Sequence, residues 1–204
     1  MKVIGLLGGV ASGKSFVAEC FRELGAATLD GDQLGHEVLR LAEVKAAARQ
    51  RWGERIFGAD GEIDRGRLSR VVFPAGESAS DELDYLESLT HDRIGQRLAA
   101  EIDELRATGK TPAVVIDAAL LLKAGWDHLC DEVIFVDVPE GKRRRRAEHR
   151  GWQEGEFARR EQAQLPLAAK RQRASAVVDN GGSREATRQQ VQSYWANRVL
   201  GGET

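Results

Sequence analysis

One eight-residue stretch near the N-terminus, Gly8-Gly9-Val10-Ala11-Ser12-Gly13-Lys14-Ser15, constrains the fold of this chain more than any other. It satisfies the pattern G-x-x-x-x-G-K-S/T without a mismatch, and its flanks are those the pattern needs. Before it runs the apolar, β-rich segment Val3-Ile4-Gly5-Leu6-Leu7. After it, Phe16 to Leu24 closed by Gly25 reads as a helix with its C-terminal glycine. Strand, glycine-rich loop and helix make a phosphate-binding loop, because successive N–H groups turn into one concavity and the helix adds the positive end of its dipole. Lys14 is then expected to reach the β- and γ-phosphates of a nucleotide, and the Ser15 hydroxyl to sit on Mg²⁺. The bland alternative is a glycine-rich β-to-α turn that happens to carry a lysine.

Three later segments read as short buried strands, each ending in an aspartate: Ala27-Thr28-Leu29 before Asp30, Ala113 to Ile116 before Asp117, and Val133 to Val136 before Asp137. A weaker fourth, Ala176-Val177-Val178, precedes Asp179. These are apolar runs without alternation, as parallel strands covered on both faces require. With helices between them they predict an α/β doubly wound parallel sheet of about five strands, a P-loop NTPase of the nucleotide-kinase kind. Its ligands belong at the C-terminal ends of the strands, where the aspartates stand. At 204 residues and 42% hydrophobic, the chain suffices for one core with a small insertion.

The insertion lies between the second and third of these strands. His36 to Arg51 reads as a helix, with Leu34, Val38, Leu41 and Val44 on one face, broken by turns at Trp52-Gly53 and Phe57 to Gly61. Ile63 to Phe73 reads as a second, ended near Pro74. Asp81 to Thr108 reads as a long third with Leu86, Leu89, Ile94, Leu98, Ile102 and Leu105 roughly on one side. A formal net charge of -2 argues against a general nucleic-acid or membrane binder. No apolar run spans a bilayer, the N-terminus leaves no room for a signal peptide, and the two cysteines, Cys20 and Cys130, fit no metal spacing. A soluble, cytosolic protein that is a monomer or weak homo-oligomer is expected.

A second distinctive stretch is Lys142-Arg143-Arg144-Arg145-Arg146 with Arg150 beyond it. Arg143, Arg146 and Arg150 share one helical face, and stacked guanidiniums suit a polyphosphate. A nucleic-acid or import patch, or simply a solvated face, are the other readings. The helices expected around Phe157 to Gln164 and Leu167 to Arg173 complete a cover over the nucleotide, which keeps water from the γ-phosphoryl group. No Asn-Lys-x-Asp segment reads guanine, and the chain is short for a motor ATPase, so a small-molecule kinase fits best. Phosphoryl transfer needs alignment, neutralised charge and a group to take the acceptor's proton. Asp32 is the candidate for that proton, with a helix N-cap as the competing role for it or Asp30. Asp117 either holds Mg²⁺ opposite Ser15 or is a structural strand-end acid.

Taken together, these stretches resemble the dephospho-coenzyme A kinase family over nearly the whole chain. The family's Gly-Leu-Thr-Gly-Gly-Ile-Gly-Ser-Gly-Lys-Ser stands here as Gly5 to Ser15, and its Asp-Ala-Asp as Asp30-Gly31-Asp32. Its Phe-Gly and Gly-x-x-x-Arg elements are echoed by Trp52-Gly53 and Gly61 to Arg65, and its helix histidine by His91. Its Gln-x-Pro is matched by Gln164-Leu165-Pro166 with Lys170 after it, and its Asp-Asn-x-Gly by Asp179-Asn180-Gly181-Gly182. Several positions depart: Ala11 replaces a loop glycine, Phe16 a threonine and Asp92 a proline. Gly151 follows Arg150 where the family has an acid, and Asp117 to Lys123 lacks the family's proline and acid, at Ala119 and Lys123.

The resemblance implies an ATP- and Mg²⁺-dependent transfer of the γ-phosphoryl group to the 3′-hydroxyl of dephospho-coenzyme A. Asp32, Lys14, Arg146 and Arg150 are then the catalytic candidates. The nucleotide falls to Gly9, Ala11, Ser12, Gly13, Lys14, Ser15, Phe16 and Asn180. The acceptor falls to Asp32, Arg67, His91 and Leu120, and the metal to Ser15 and Asp117. The implied parts are a nucleotide core (1–31, 110–140, 175–204), a helical acceptor domain (32–109) and a lid (141–174). Another P-loop nucleoside or nucleotide kinase, or an inactive ATP-binding regulator, is the alternative.

Overall fold

The computed structural model describes residues 1–73, 81–153 and 155–201; Pro74, expected to end a helix, lies outside them. Five parallel strands form one sheet in the order β2-β3-β1-β4-β5: β1 Lys2–Gly8, β2 Ala27–Asp30, β3 Ala113–Asp117, β4 Glu132–Asp137 and β5 Ala176–Asp179. β1 lies at the centre, and its residues from Val3 to Gly8 are buried, because both neighbours and both faces are occupied. Asp30 sits in register with Asp117, and Asp137 with Asp179, so the aspartates of the sequence line one edge of the sheet in two pairs.

Side-chain alternation in β1 sends Ile4 and Leu6 to one face, where α1 (Lys14–Glu23) contributes Val17 and Phe21 and the C-terminal helix contributes Val191 and Trp195. Phe21 is fully buried, with its ring edge-on to Tyr194 at 5.7 Å and near Trp195 at 6.3 Å. On the other face, Gly5 stands where a Cβ would lie 2.6 Å from Leu121 and 2.8 Å from Cys130, so the strand needs a residue without a side chain there.

The chain divides into two compact units, 1–31 with 99–204, and 32–98. The second has its own core of Ala48, Trp52, Ile56, Phe57, Leu68 and Val72. Trp52 meets Tyr85 edge-on at 5.4 Å and donates from Nε1 to Glu82 at 2.6 Å. Its helices differ in one place from the sequence expectation. The run from His36 to Arg51 is two helices, α2 (Gly31–Val38) and α3 (Ala42–Trp52), because the backbone at Leu41 is extended. Leu41, expected on the apolar face, becomes the cap instead, and no glycine or proline announces the break. α4 is Arg65–Val72, capped by Asp64, whose side chain accepts from Arg67 N. α5 is Asp81–Thr108, as its periodicity predicts. Among the described residues no helix is long and apolar enough to cross a membrane.

Replacing Phe21 with alanine is expected to cost about 3–5 kcal/mol of stability. Chemical denaturation should show a lower midpoint with an unchanged slope; an unmoved midpoint would mean that this face of the sheet is not the core.

Candidate active site

The phosphate-binding segment joins β1 to α1. Two residues carry positive φ, Ala11 at 58° and Gly13 at 86°, the latter as the helix N-cap. Left-handed residues turn successive N–H groups to one side, and an anion is the partner for such a cradle. For Ala11 this conformation costs about 1 kcal/mol more than for the family's glycine. Its buried position beside Val10, Ala147 and Phe157 holds the methyl group in place.

A loop that turns its N–H groups inward presents carbonyl oxygens outward, and those need donors. Every second one is met by a side chain from the C-terminal half. Lys170 Nζ donates to Gly8 O at 3.1 Å, Arg143 Nη1 to Val10 O at 3.3 Å, and both Arg146 Nη1 (3.0 Å) and Asn180 Nδ2 (2.8 Å) to Ser12 O. These residues lie on α6 (Glu140–His149), α8 (Leu167–Arg173) and the turn after β5. Glu161, on α7 (Glu156–Gln162), accepts from Arg143 at 2.6 Å and from Val10 N at 3.3 Å, so one carboxylate ties the loop and its guanidinium together.

The arginine face therefore divides. Arg143 is 2% exposed and committed to Val10, Val138 and Glu161, which corrects the expectation of three guanidiniums turned to a polyphosphate. Arg146 and Arg150 do line a cleft of about 590 Å³, together with Lys142, Arg145, Arg184, Phe16 and Asn180. Among the described residues no acidic side chain lines it. Burial first, then the charges of Arg150 and Arg184, lowers the Arg146 pKa, yet a guanidinium stays protonated at neutral pH. Arg184, on the wall of the same cleft, and Arg188 stand 5.1 and 5.4 Å from the centroid of the Phe16 ring. Asn180 is buried, and its side-chain oxygen accepts from Thr187 at 3.0 Å, so its amide is a brace between loop and turn.

Ser15 Oγ donates to Asp117 Oδ2 at 2.8 Å, which brings two hard oxygen ligands together at the sheet edge. That donor set suits Mg²⁺, which prefers one or two protein oxygens beside phosphate oxygens. Leu120 lies away from the cleft, in a narrow recess with Lys123, Gln164 and Lys170. The remaining acceptor candidates belong to the second unit. Asp32 is exposed in the first turn of α2, inside the helix rather than at its cap. His91 is half-buried on α5. Arg67 donates to Phe57 O at 2.5 Å and pairs with Asp64 at 3.8 Å, which binds it to the α4 cap. Sequence reasoning quoted Lys170 and Gln164 without a role and passed over Glu161. A lysine and an acid in a charge-rich helical stretch look solvated until the tertiary structure buries the one and half-buries the other.

Comparison with known proteins decides the family. The sequence profile described as Dephospho-CoA kinase matches residues 2–185. The chain belongs to the dephospho-CoA kinase family. The dephospho-CoA kinase of Geobacillus kaustophilus is 40% identical over 192 residues, covering 92% of each chain. A crystal structure from Thermus thermophilus superimposes with a TM-score of 0.79 at 30% identity, over 97% of both chains. The dephospho-CoA kinase from Campylobacter jejuni shares the fold, with a TM-score of 0.65 at 19% identity over 98% of both chains. In this member of the dephospho-CoA kinase family, buried Arg143 pairs with half-buried Glu161 at 2.6 Å, with Phe157 5.3 Å from the guanidinium.

Glu161→Ala strands the Arg143 charge among carbonyls, and is expected to cost about 3 kcal/mol. The exposed Arg106–Asp103 pair is the control, since Arg106→Ala should cost under about 0.5 kcal/mol. Thermal unfolding of both variants decides the point; equal melting temperatures would show that the loop does not depend on Glu161.

Proposed function

We propose that the protein is a dephospho-CoA kinase that moves the γ-phosphoryl group of ATP to the ribose 3′-hydroxyl of dephospho-coenzyme A. The observation that carries this reading is the cradle at Ala11 and Gly13, opening beside a cleft lined, among the described residues, by five lysine and arginine side chains and no acid. That cleft fits a polyphosphate in charge, and the family supplies the acceptor.

In this reading the backbone from Gly9 to Ser15 receives the phosphate tail, and Lys14 neutralises its β- and γ-oxygens. Phe16, Arg184 and the turn at Asn180 wall the rest of the nucleotide. Arg146 and Arg150 face the transferred group and stabilise the charge that spreads over its oxygens. Mg²⁺, held by Ser15 and Asp117, supplies further charge neutralisation when bound. Asp32 accepts the proton of the attacking 3′-hydroxyl as its oxygen bonds to phosphorus and ADP leaves with the bridging oxygen. Residues 32–109, including His91 and Arg67, act as the acceptor domain and 141–174 as the lid, with Leu120 beside the acceptor's path. The enzyme works in the cytoplasm as a monomer or weak homo-oligomer.

An assay of ADP release with dephospho-coenzyme A, beside nucleosides and nucleotides as acceptors, tests the substrate. Preference for a nucleoside sinks this reading, and tight ATP binding without ADP release for any acceptor points to an inactive regulator. Asp32→Asn is expected to lower kcat by roughly 10²-fold or more with similar ATP affinity. Unchanged turnover removes Asp32 from the mechanism. Lys14→Ala should damage both affinity and rate, and normal kinetics would overturn the loop assignment.

A further inference from the structure

Lys170 is 4% exposed, and a lysine this deep is ordinarily paired with a carboxylate. Its hydrogen-bond partners are both neutral: Gly8 O at 3.1 Å and the Gln164 side-chain oxygen at 2.6 Å. An ammonium has three N–H donors, and two are thus accounted for among the described residues. The charged groups facing it are Lys14 from α1, Arg143 from α6 and Glu161 from α7, with Lys123 across the recess. Glu161 is the one acid of the set and already holds Arg143 at 2.6 Å. On β4, the neighbouring strand, Asp137 is taken by Arg171 at 2.8 Å. Cations thus surround a buried cation, which is costly in the empty fold and favourable once an anion arrives among them. The carbonyl that Lys170 holds belongs to the first residue of the phosphate loop.

We propose that Lys170 is a second phosphate-binding lysine, which contacts the terminal phosphates of ATP beside Lys14. The proposal rests on the reading above that the phosphate tail of ATP lies in this loop. A purely structural lysine would hold Gly8 equally well with or without nucleotide, so the two roles separate by proton linkage.

Burial, reinforced by Lys14, lowers the Lys170 pKa to about 8 from 10.5. Phosphate oxygens against the ammonium favour its charged form and raise that value again. Well below that value the group is charged with or without ATP, and almost no proton moves. Above it the free protein has lost the proton that the complex needs, so binding takes one up and affinity falls as pH rises.

Calorimetry of the unaltered protein with ATP at pH 8.5, in buffers of different ionisation enthalpy, reads this directly. With a free-protein pKa of about 8, uptake of roughly half a proton or more per ATP is expected. Uptake near zero overturns the proposal. Lys170→Met should weaken ATP at pH 7 by roughly tenfold or more, leave AMP within about twofold, and abolish the uptake. Lys170→Arg, charged at every pH, should keep the pH 7 affinity better than methionine and also show no uptake. Equal loss of AMP and ATP in Lys170→Met, or wild-type uptake retained in it, would overturn the assignment. If Lys170→Met does not fold, judged by its thermal melt, the measurement on the unaltered protein still decides. Failure of the unaltered protein to bind ATP at all would take down the loop reading as well, whereas binding without uptake removes only Lys170.

Discussion

A loop that offers its amides to an anion has to find donors for its carbonyls. In this protein the oxygens of Gly8, Val10 and Ser12 are met by Lys170, by Arg143, and by Arg146 with Asn180. That requirement connects elements far apart in sequence, because each donor lies at least 133 positions from the carbonyl it meets. Remove the donors, and outward-facing carbonyls would be left buried and unpaired, at about 1–3 kcal/mol each. The geometry that receives phosphate is therefore a tertiary property, although its signature is local.

That division explains what could be read from the residues alone. The loop, the strand-end aspartates and the bounds of α5 were legible because each is written in neighbouring residues: a glycine pattern, short apolar runs, a helical apolar repeat kept up over 28 residues. The break between α2 and α3 was not, since Leu41 is a good helix former held extended by the fold around it. Nor could spacing sort the arginines. Arg143 and Arg146 lie one turn apart on the same helix face, yet the first is buried beneath the loop and the second borders the cleft. Glu161 was invisible for the same reason, its role being fixed by Arg143 eighteen positions away.

Burying several cations in one place is a poor way to stabilise a fold. Among the described residues only Glu161 offsets Arg143, and Lys170 has only neutral hydrogen-bond partners. Functional sites commonly carry such local cost, which the rest of the structure has to absorb. Here the fully buried Ile4, Leu6, Phe21, Val115, Ile134 and Val191 on one face of the sheet absorb it. Ala11 adds to it in a small way, a methyl group in a conformation better suited to glycine.

The donors also bear on how a cover and a cradle are related. Arg143, Arg146 and Lys170 all lie in the stretch from α6 to α8, the same stretch that brings Arg145 and Arg150 to the cleft. A segment that only covered the nucleotide could vary in position without consequence for the loop. This one holds three of the loop's carbonyls and, through Glu161, one of its amides, so displacement of α6 or α8 would release the backbone that binds phosphate. The position of this segment and the shape of the cradle are in that sense one property. An anion seated in the cradle would favour both, because Arg146, which borders the cleft, also holds one of the loop's carbonyls.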